Sequence, residues 1–134
     1  MKITRAIVRP PTENFSDGLT AADFGTPDFV LALRQHANYC AALERCGVQL
    51  TRLAAEPDFP DATFVEDTAI AMPNFAVLTR PGAASRAGEV ARIEPALRRV
   101  FNRMHAIAAP GTLDGGDICL ADQHVFIGVS DRTN

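Results

Sequence analysis

Glu66-Asp67-Thr68-Ala69-Ile70-Ala71, laid over Gly116-Asp117-Ile118-Cys119-Leu120-Ala121, aligns an acid with an apolar strand-forming run, a short turn and a second strand. Both acids stand where a hairpin begins. Each pattern is followed by an arginine, Arg86 in the first and Arg132 in the second. Upstream, Ala6-Ile7-Val8-Arg9-Pro10 resembles Ala76-Val77-Leu78-Thr79-Arg80-Pro81 as strand, arginine, proline, loop and helix. The unit is therefore strand, helix, strand, acid-bearing strand, at a period of roughly 50 residues. Units of that kind pack around a common axis, as in propeller-like architectures, and bring their acids to matching positions. Two copies this short also arise by chance between apolar hairpins; the acids favour a real repeat.

The remaining elements follow from patterning. Ile3 to Val8 is β-branched and apolar and stops at Arg9-Pro10-Pro11, so it predicts a buried strand. Thr26-Pro27-Asp28 supplies an N-cap, a first-turn proline and an acid for a helix whose apolar face is Phe29, Val30, Leu33, Ala37, Cys40 and Leu43, with Gly47 as its C-terminal cap. Val48 to Leu53 reads as a strand. Phe64 to Ala71 and Phe75 to Thr79 read as a hairpin around Met72-Pro73-Asn74. A second helix, capped by Ser85, buries Val90, Ile93, Leu97, Val100 and Phe101, with a kink or break expected at Pro95. His105 to Ala108 is a short strand, and Asp117 to Ala121 with His124 to Val129 forms a further hairpin.

A length of 134 residues, 47% hydrophobic and 22% charged, suits one domain. Its 16 acidic and 13 basic residues are dispersed, which argues against a nucleic-acid or membrane partner and is compatible with a small cationic ligand. No stretch approaches the roughly 20 apolar residues of a membrane span, and the N-terminus runs into a strand-like pattern, so a cytoplasmic location is expected. Three cysteines without C-x-x-C spacing fit neither a disulfide framework nor a zinc site. Cys40 and Cys46 on the first helix, and Cys119 in mid-strand, read as packing residues, although Cys119 shares a strand face with Asp117.

Chemistry concentrates in Asp61, Glu66 and Asp67 and in Leu113-Asp114-Gly115-Gly116-Asp117. Carboxylates at strand ends are costly unless paired, and planar guanidinium is the cation they bind best. Gly115 and Gly116 would let backbone approach a ligand closely or adopt positive φ. The same residues also read as an ordinary turn, with Glu66 or Asp67 paired to a local arginine. A Ca²⁺ or Mg²⁺ site is the weaker alternative, because calcium-loop spacing is absent; no metal or cofactor is expected.

Phe64-Val65-Glu66-Asp67, Arg80-Pro81-Gly82-Ala83 with Ser85-Arg86, Leu113-Asp114-Gly115-Gly116-Asp117 and Arg132-Thr133-Asn134, with Asp17-Gly18-Leu19 and Pro60-Asp61, together resemble the dimethylarginine dimethylaminohydrolases of the guanidino-modifying superfamily, in order and spacing over essentially the whole chain. The resemblance implies an α/β fold, the pseudo-fivefold α/β propeller of ββαβ modules, of which residues 1–134 would be a single partial domain, the N-terminal half. It implies that Asp67 and Asp114 lie near a guanidinium, Asp114 also orienting a general acid/base histidine. Asp61 and Glu66 would line the pocket, Arg86 and Arg132 would bind the amino-acid end, and Leu19 would lie on a closing loop. The implied reaction is attack by a cysteine thiolate on N-methylated arginine, giving citrulline and an alkylamine. Family members continue past Arg132-Thr133-Asn134, and their histidine and cysteine lie beyond it, so this chain alone is expected to be inactive. A second copy or a separate second half would close the propeller, and a non-catalytic module that binds guanidino ligands is the alternative function.

Overall fold

The computed structural model describes residues 3–122 and 124–134; Met1 and Lys2, read as leading into the first strand, and Gln123 lie outside the described residues. Two compact units divide the chain, Met1–Phe64 and Val65–Asn134.

In the first unit, β1 (Arg5–Val8) and β2 (Gln49–Arg52) pair in parallel, Arg5 opposite Gln49 and Val8 opposite Arg52. Parallel neighbours need a long crossover, and α1 (Phe29–Arg45) supplies it. The cap of α1 is Asp28 rather than Thr26: its carboxylate accepts the Leu31 N–H at 2.7 Å, which leaves Pro27 outside the helix. At the other end Gly47, at φ +81°, ends the helix as expected, with Gly47 N–H donating to the Glu44 carbonyl and Val48 N–H to that of Leu43. The packed stripe is narrower than the sequence pattern. Cys40 is buried and Phe29 and Leu43 half-buried, whereas Val30, Leu33 and Ala37 are exposed.

The second unit centres on a three-stranded sheet, β3 (Ala69–Ala71), β4 (Ala76–Leu78) and β5 (Met104–Ala106), with β4 in the middle. β3 runs antiparallel to β4 and β5 runs parallel to it. The crossover from β4 to β5 is α2 (Glu89–Arg98), whose Ile93, Ala96 and Leu97 are buried with Ala76 and Leu78. Full burial of an Ile or Leu side chain contributes ~1.5–3 kcal/mol, so these few residues hold much of the unit's core. Strand, helix, parallel strand thus occurs twice, as β1-α1-β2 and β4-α2-β5. A separate antiparallel hairpin, β6 (Ile118–Ala121) with β7 (His124–Ile127), follows.

Several expectations are corrected. Glu66 and Asp67 lie not in a strand but in a 3₁₀ turn, Val65–Thr68, that leads into β3. Asp117 closes an equivalent turn, Gly115–Asp117, that leads into β6. The repeat therefore places both acids on turns just ahead of a hairpin. Ser85 does not cap α2: it lies in a 3₁₀ turn, Ala84–Arg86, and the helix begins after Gly88. Nor does Pro95 break α2, which is continuous to Arg98. Cys46 and Cys119 are exposed rather than packed, the first at the C-terminal cap of α1 and the second in a hairpin whose second strand is exposed throughout; of the three only Cys40 is buried. No helix of the described residues is long and apolar enough to cross a membrane.

Candidate functional site

Within the second unit the two acid-bearing turns touch. Gly115 is the reason: a side chain there would run into the Glu66 carbonyl and the Asp67 main chain, so only glycine lets the backbones meet. Its neighbour Gly116 donates its N–H to Asp67 Oδ1 at 2.9 Å. Gly115 thus brings turn against turn, and neither glycine has positive φ. Thr79 Oγ1 donates to the Asp67 carbonyl at 2.6 Å and fixes the turn to the end of β4.

Asp67 and Asp114 lie side by side: the same Gly116 N–H also points at Asp114 Oδ1, at 3.4 Å. Burial first, then the bond to Asp67 and its charge, pushes the Asp114 carboxyl up to about 6, with Arg132 and the Gly116 N–H opposing. Asp114 is fully buried, and its Oδ2, without a hydrogen-bond partner among the described residues, lies 3.5 Å from Arg132 Nη1. Burial also acts to raise Asp67, but hydrogen bonds from Asp114, Arg86 and Gly116 outweigh it and hold this carboxyl below the ordinary range. Glu66 is raised, first by loss of water around it and then by Asp67 beside it, while its own N–H and Arg86 counteract. The surroundings therefore push two neighbouring carboxyls apart, Asp67 down and Asp114 up, a separation found at sites that bind cations or move protons.

Arg86 is buried, with Nη1 on Asp67 Oδ2, Nε on Glu89 Oε1 at 3.0 Å and Nη2 on Glu89 Oε2 at 2.7 Å. The reading of a local arginine paired with Asp67 is therefore realised, and three of the guanidinium's bonds are made to protein carboxylates. Glu89, the first residue of α2, escaped the sequence reading although its carboxylate is buried; the spacing Arg86-x-x-Glu89 was the available signal. Arg132 is half-exposed and faces Asp114. In the first unit, Asp61 is buried, and its two oxygens take the Leu19 N–H at 3.0 and 3.1 Å, so Leu19 and Asp61 do meet there. Among the described residues no group of His, Cys, Asp and Glu could hold a metal ion.

No family model matches the chain. Over 129 residues, 96% of the chain, it is 43% identical to the N(G),N(G)-dimethylarginine dimethylaminohydrolase of Pseudomonas aeruginosa, and over 135 residues 37% identical to the protein of that name from Streptomyces coelicolor. It spans about half the length of these relatives, 51% and 52%. Among solved structures, a dimethylarginine dimethylaminohydrolase adduct with S-methyl-L-thiocitrulline superposes on 99% of the chain with a TM-score of 0.97 at 42% identity, the chain covering 53% of it. The N-terminal domain of a cyanobacterial arginine dihydrolase bound to substrate, at 15% identity and a TM-score of 0.83 over 97% of this chain and 50% of that one, shares the α/β fold.

Proposed function

The chain belongs, over the half-length it spans, to the dimethylarginine dimethylaminohydrolase family of the guanidino-modifying superfamily, and from that premise we propose that it is the substrate-holding portion of a hydrolase that converts N-methylated arginine to citrulline and an alkylamine. One observation carries the reading: Asp67 and Asp114 converge on the Gly116 N–H, at 2.9 and 3.4 Å, with Arg86 bonded to Asp67 and Arg132 3.5 Å from Asp114. A guanidinium between planar carboxylates is held by two parallel charge-assisted hydrogen bonds, and Glu66 and Asp67 present carboxylates from one turn.

Arg132, half-exposed and only loosely balanced by Asp114, takes the α-carboxylate. Arg86 is assigned to that end by the family's pattern, and in this arrangement its guanidinium is buried against Asp67 and Glu89. Leu19 and Asp61 are assigned to substrate by the family's pattern, Asp61 by holding the Leu19 segment in place. Asp114, with one oxygen not hydrogen-bonded, suits the orienting of a histidine N–H supplied from outside these residues. The nucleophile is a cysteine thiolate from the same outside portion: none of Cys40, Cys46 and Cys119 has a histidine in hydrogen-bonding position to a solvent-facing thiol. The fold is then part of a pseudo-fivefold propeller, and the protein acts in the cytoplasm.

A polypeptide that contains this chain with a histidine- and cysteine-bearing second half should release citrulline and dimethylamine from N,N-dimethylarginine. Preference for unmethylated arginine, with release of ammonia, would refute the assignment. A non-catalytic guanidino-binding role is the second reading, favoured if the ligand binds and no product forms.

A further inference from the structure

Arg132 sits in a turn that is built more firmly than a surface arginine needs. Ser130 Oγ accepts the N–H groups of Arg132 at 3.0 Å and Thr133 at 3.2 Å, and the Ser130 N–H donates to the Thr133 carbonyl at 3.0 Å. Both hydroxyls that bracket Arg132 then converge on a single atom: Ser130 Oγ and Thr133 Oγ1 each donate to Asp117 Oδ2 at 2.6 Å. Thr133, 1% exposed, also accepts the Asp114 N–H at 3.0 Å. On the far side, a side chain at residue 82 would collide with the Arg132 main chain, so Gly82 lies directly against it.

The repeat gives this clamp a counterpart. Asp67 and Asp117 occupy the same position in the two turns that precede the hairpins. Asp67 bonds its following arginine, Arg86, directly. Asp117 reaches its own arginine through the hydroxyls on either side of it, leaving the Arg132 guanidinium outside the clamp and turned to Asp114. The same acid thus yields a buried arginine in one copy and a half-exposed one in the other.

We propose that Asp117 is a positioning residue: by gripping Ser130 and Thr133 it holds the Arg132 main chain so that the guanidinium meets the carboxylate of an amino-acid ligand. This rests on the ligand-holding reading above, and the test separates the two. In the 134-residue chain, ¹⁵N relaxation at Ser130 to Thr133 reads the clamp without any ligand, and calorimetry compares N,N-dimethylarginine with N,N-dimethylguanidine, which lacks the α-carboxylate. Asp117→Ala should make these amides as mobile as a free chain end and weaken dimethylarginine about tenfold, the worth of one charge-assisted hydrogen bond, with dimethylguanidine unchanged. Asp117→Asn keeps an acceptor oxygen and should retain most of the order, as should Thr133→Ser, whereas Thr133→Val should not. If wild type binds neither compound, the ligand-holding reading fails and relaxation alone decides on Asp117. Unchanged order at Arg132 in Asp117→Ala, or equal weakening of both ligands, overturns the proposal.

Discussion

Removal of the Glu89 carboxylate should be the most damaging single polar change in the second unit. Glu89 and Arg86 are 2% and 3% exposed and are joined by two hydrogen bonds of 3.0 and 2.7 Å. Glu89→Ala would take two hydrogen bonds from a buried guanidinium and leave Asp67 in place beside it. Loss of one partner from a buried pair costs ~3–5 kcal/mol, and because Asp67 stays in place the low end, ~3 kcal/mol, is expected. Against a typical stability of ~5–15 kcal/mol that is a large fraction, equivalent to a fall in Tm of roughly 10 °C. Glu89→Gln keeps one acceptor and should cost ~1–2 kcal/mol. The double variant Arg86→Met/Glu89→Leu removes both charges and should lie closer to wild type than Glu89→Ala does. Urea unfolding followed by far-UV circular dichroism measures all three. A loss below ~1 kcal/mol in Glu89→Ala, or a double variant less stable than it, would show that the pair does not carry the stability argued for it.

Further expectations concern pH, backbone approach and thiol access. Asp114, raised from 3.8 to about 6, keeps a proton that the unfolded chain has released, so its contribution falls as pH rises from about 4 through 6. Asp114→Asn, which mimics the protonated acid, should therefore match wild type only below about pH 4, gain part of its advantage by pH 5 and exceed wild type by ~1–3 kcal/mol at pH 7.5 in urea unfolding, and a variant no more stable than wild type at pH 7.5 would contradict this. Asp67 works in the opposite sense: held low, it supports the fold above the ordinary carboxylate range and loses that effect as pH falls. Gly115→Ala should force the two acid turns apart and destabilise by ~2–4 kcal/mol, measured the same way; a neutral effect would deny the close approach. A thiol reagent should label Cys46 and Cys119 quickly and Cys40 only on unfolding, as mass spectrometry of timed samples would reveal.

What was legible in the sequence was whatever periodicity and local chemistry decide. The α2 stripe Ile93 and Leu97, the Gly47 stop and the strand of Ala76 to Leu78 are settled by neighbours in sequence. The strand formers Phe64 and Val65 predict a strand through Glu66 and Asp67, yet contacts distant in sequence bend them into a turn: Arg86 on Asp67, and Gly115 against the Glu66 carbonyl. The acids themselves were readable as a cluster. The opposite shifts of Asp67 and Asp114 were not, since they depend on the burial of Asp114 and on the approach of residues 67 and 114 across 47 positions of sequence. Glu89 and the hydroxyl clamp of Asp117 were missed for the same reason: a helix-start acid and a Ser-Asp-Arg-Thr run look solvated until the fold closes over them.

The central claim is that the acid pair and Arg132 hold the two ends of an N-methylated arginine. ¹H–¹⁵N chemical-shift mapping of the chain titrated with N,N-dimethylarginine tests it most directly. Saturable shifts are expected at Glu66, Asp67, Gly116 and Arg132, abolished by Asp67→Asn in a variant whose remaining spectrum is unchanged. Shifts confined to other residues, or titration unaffected by Asp67→Asn, would contradict it.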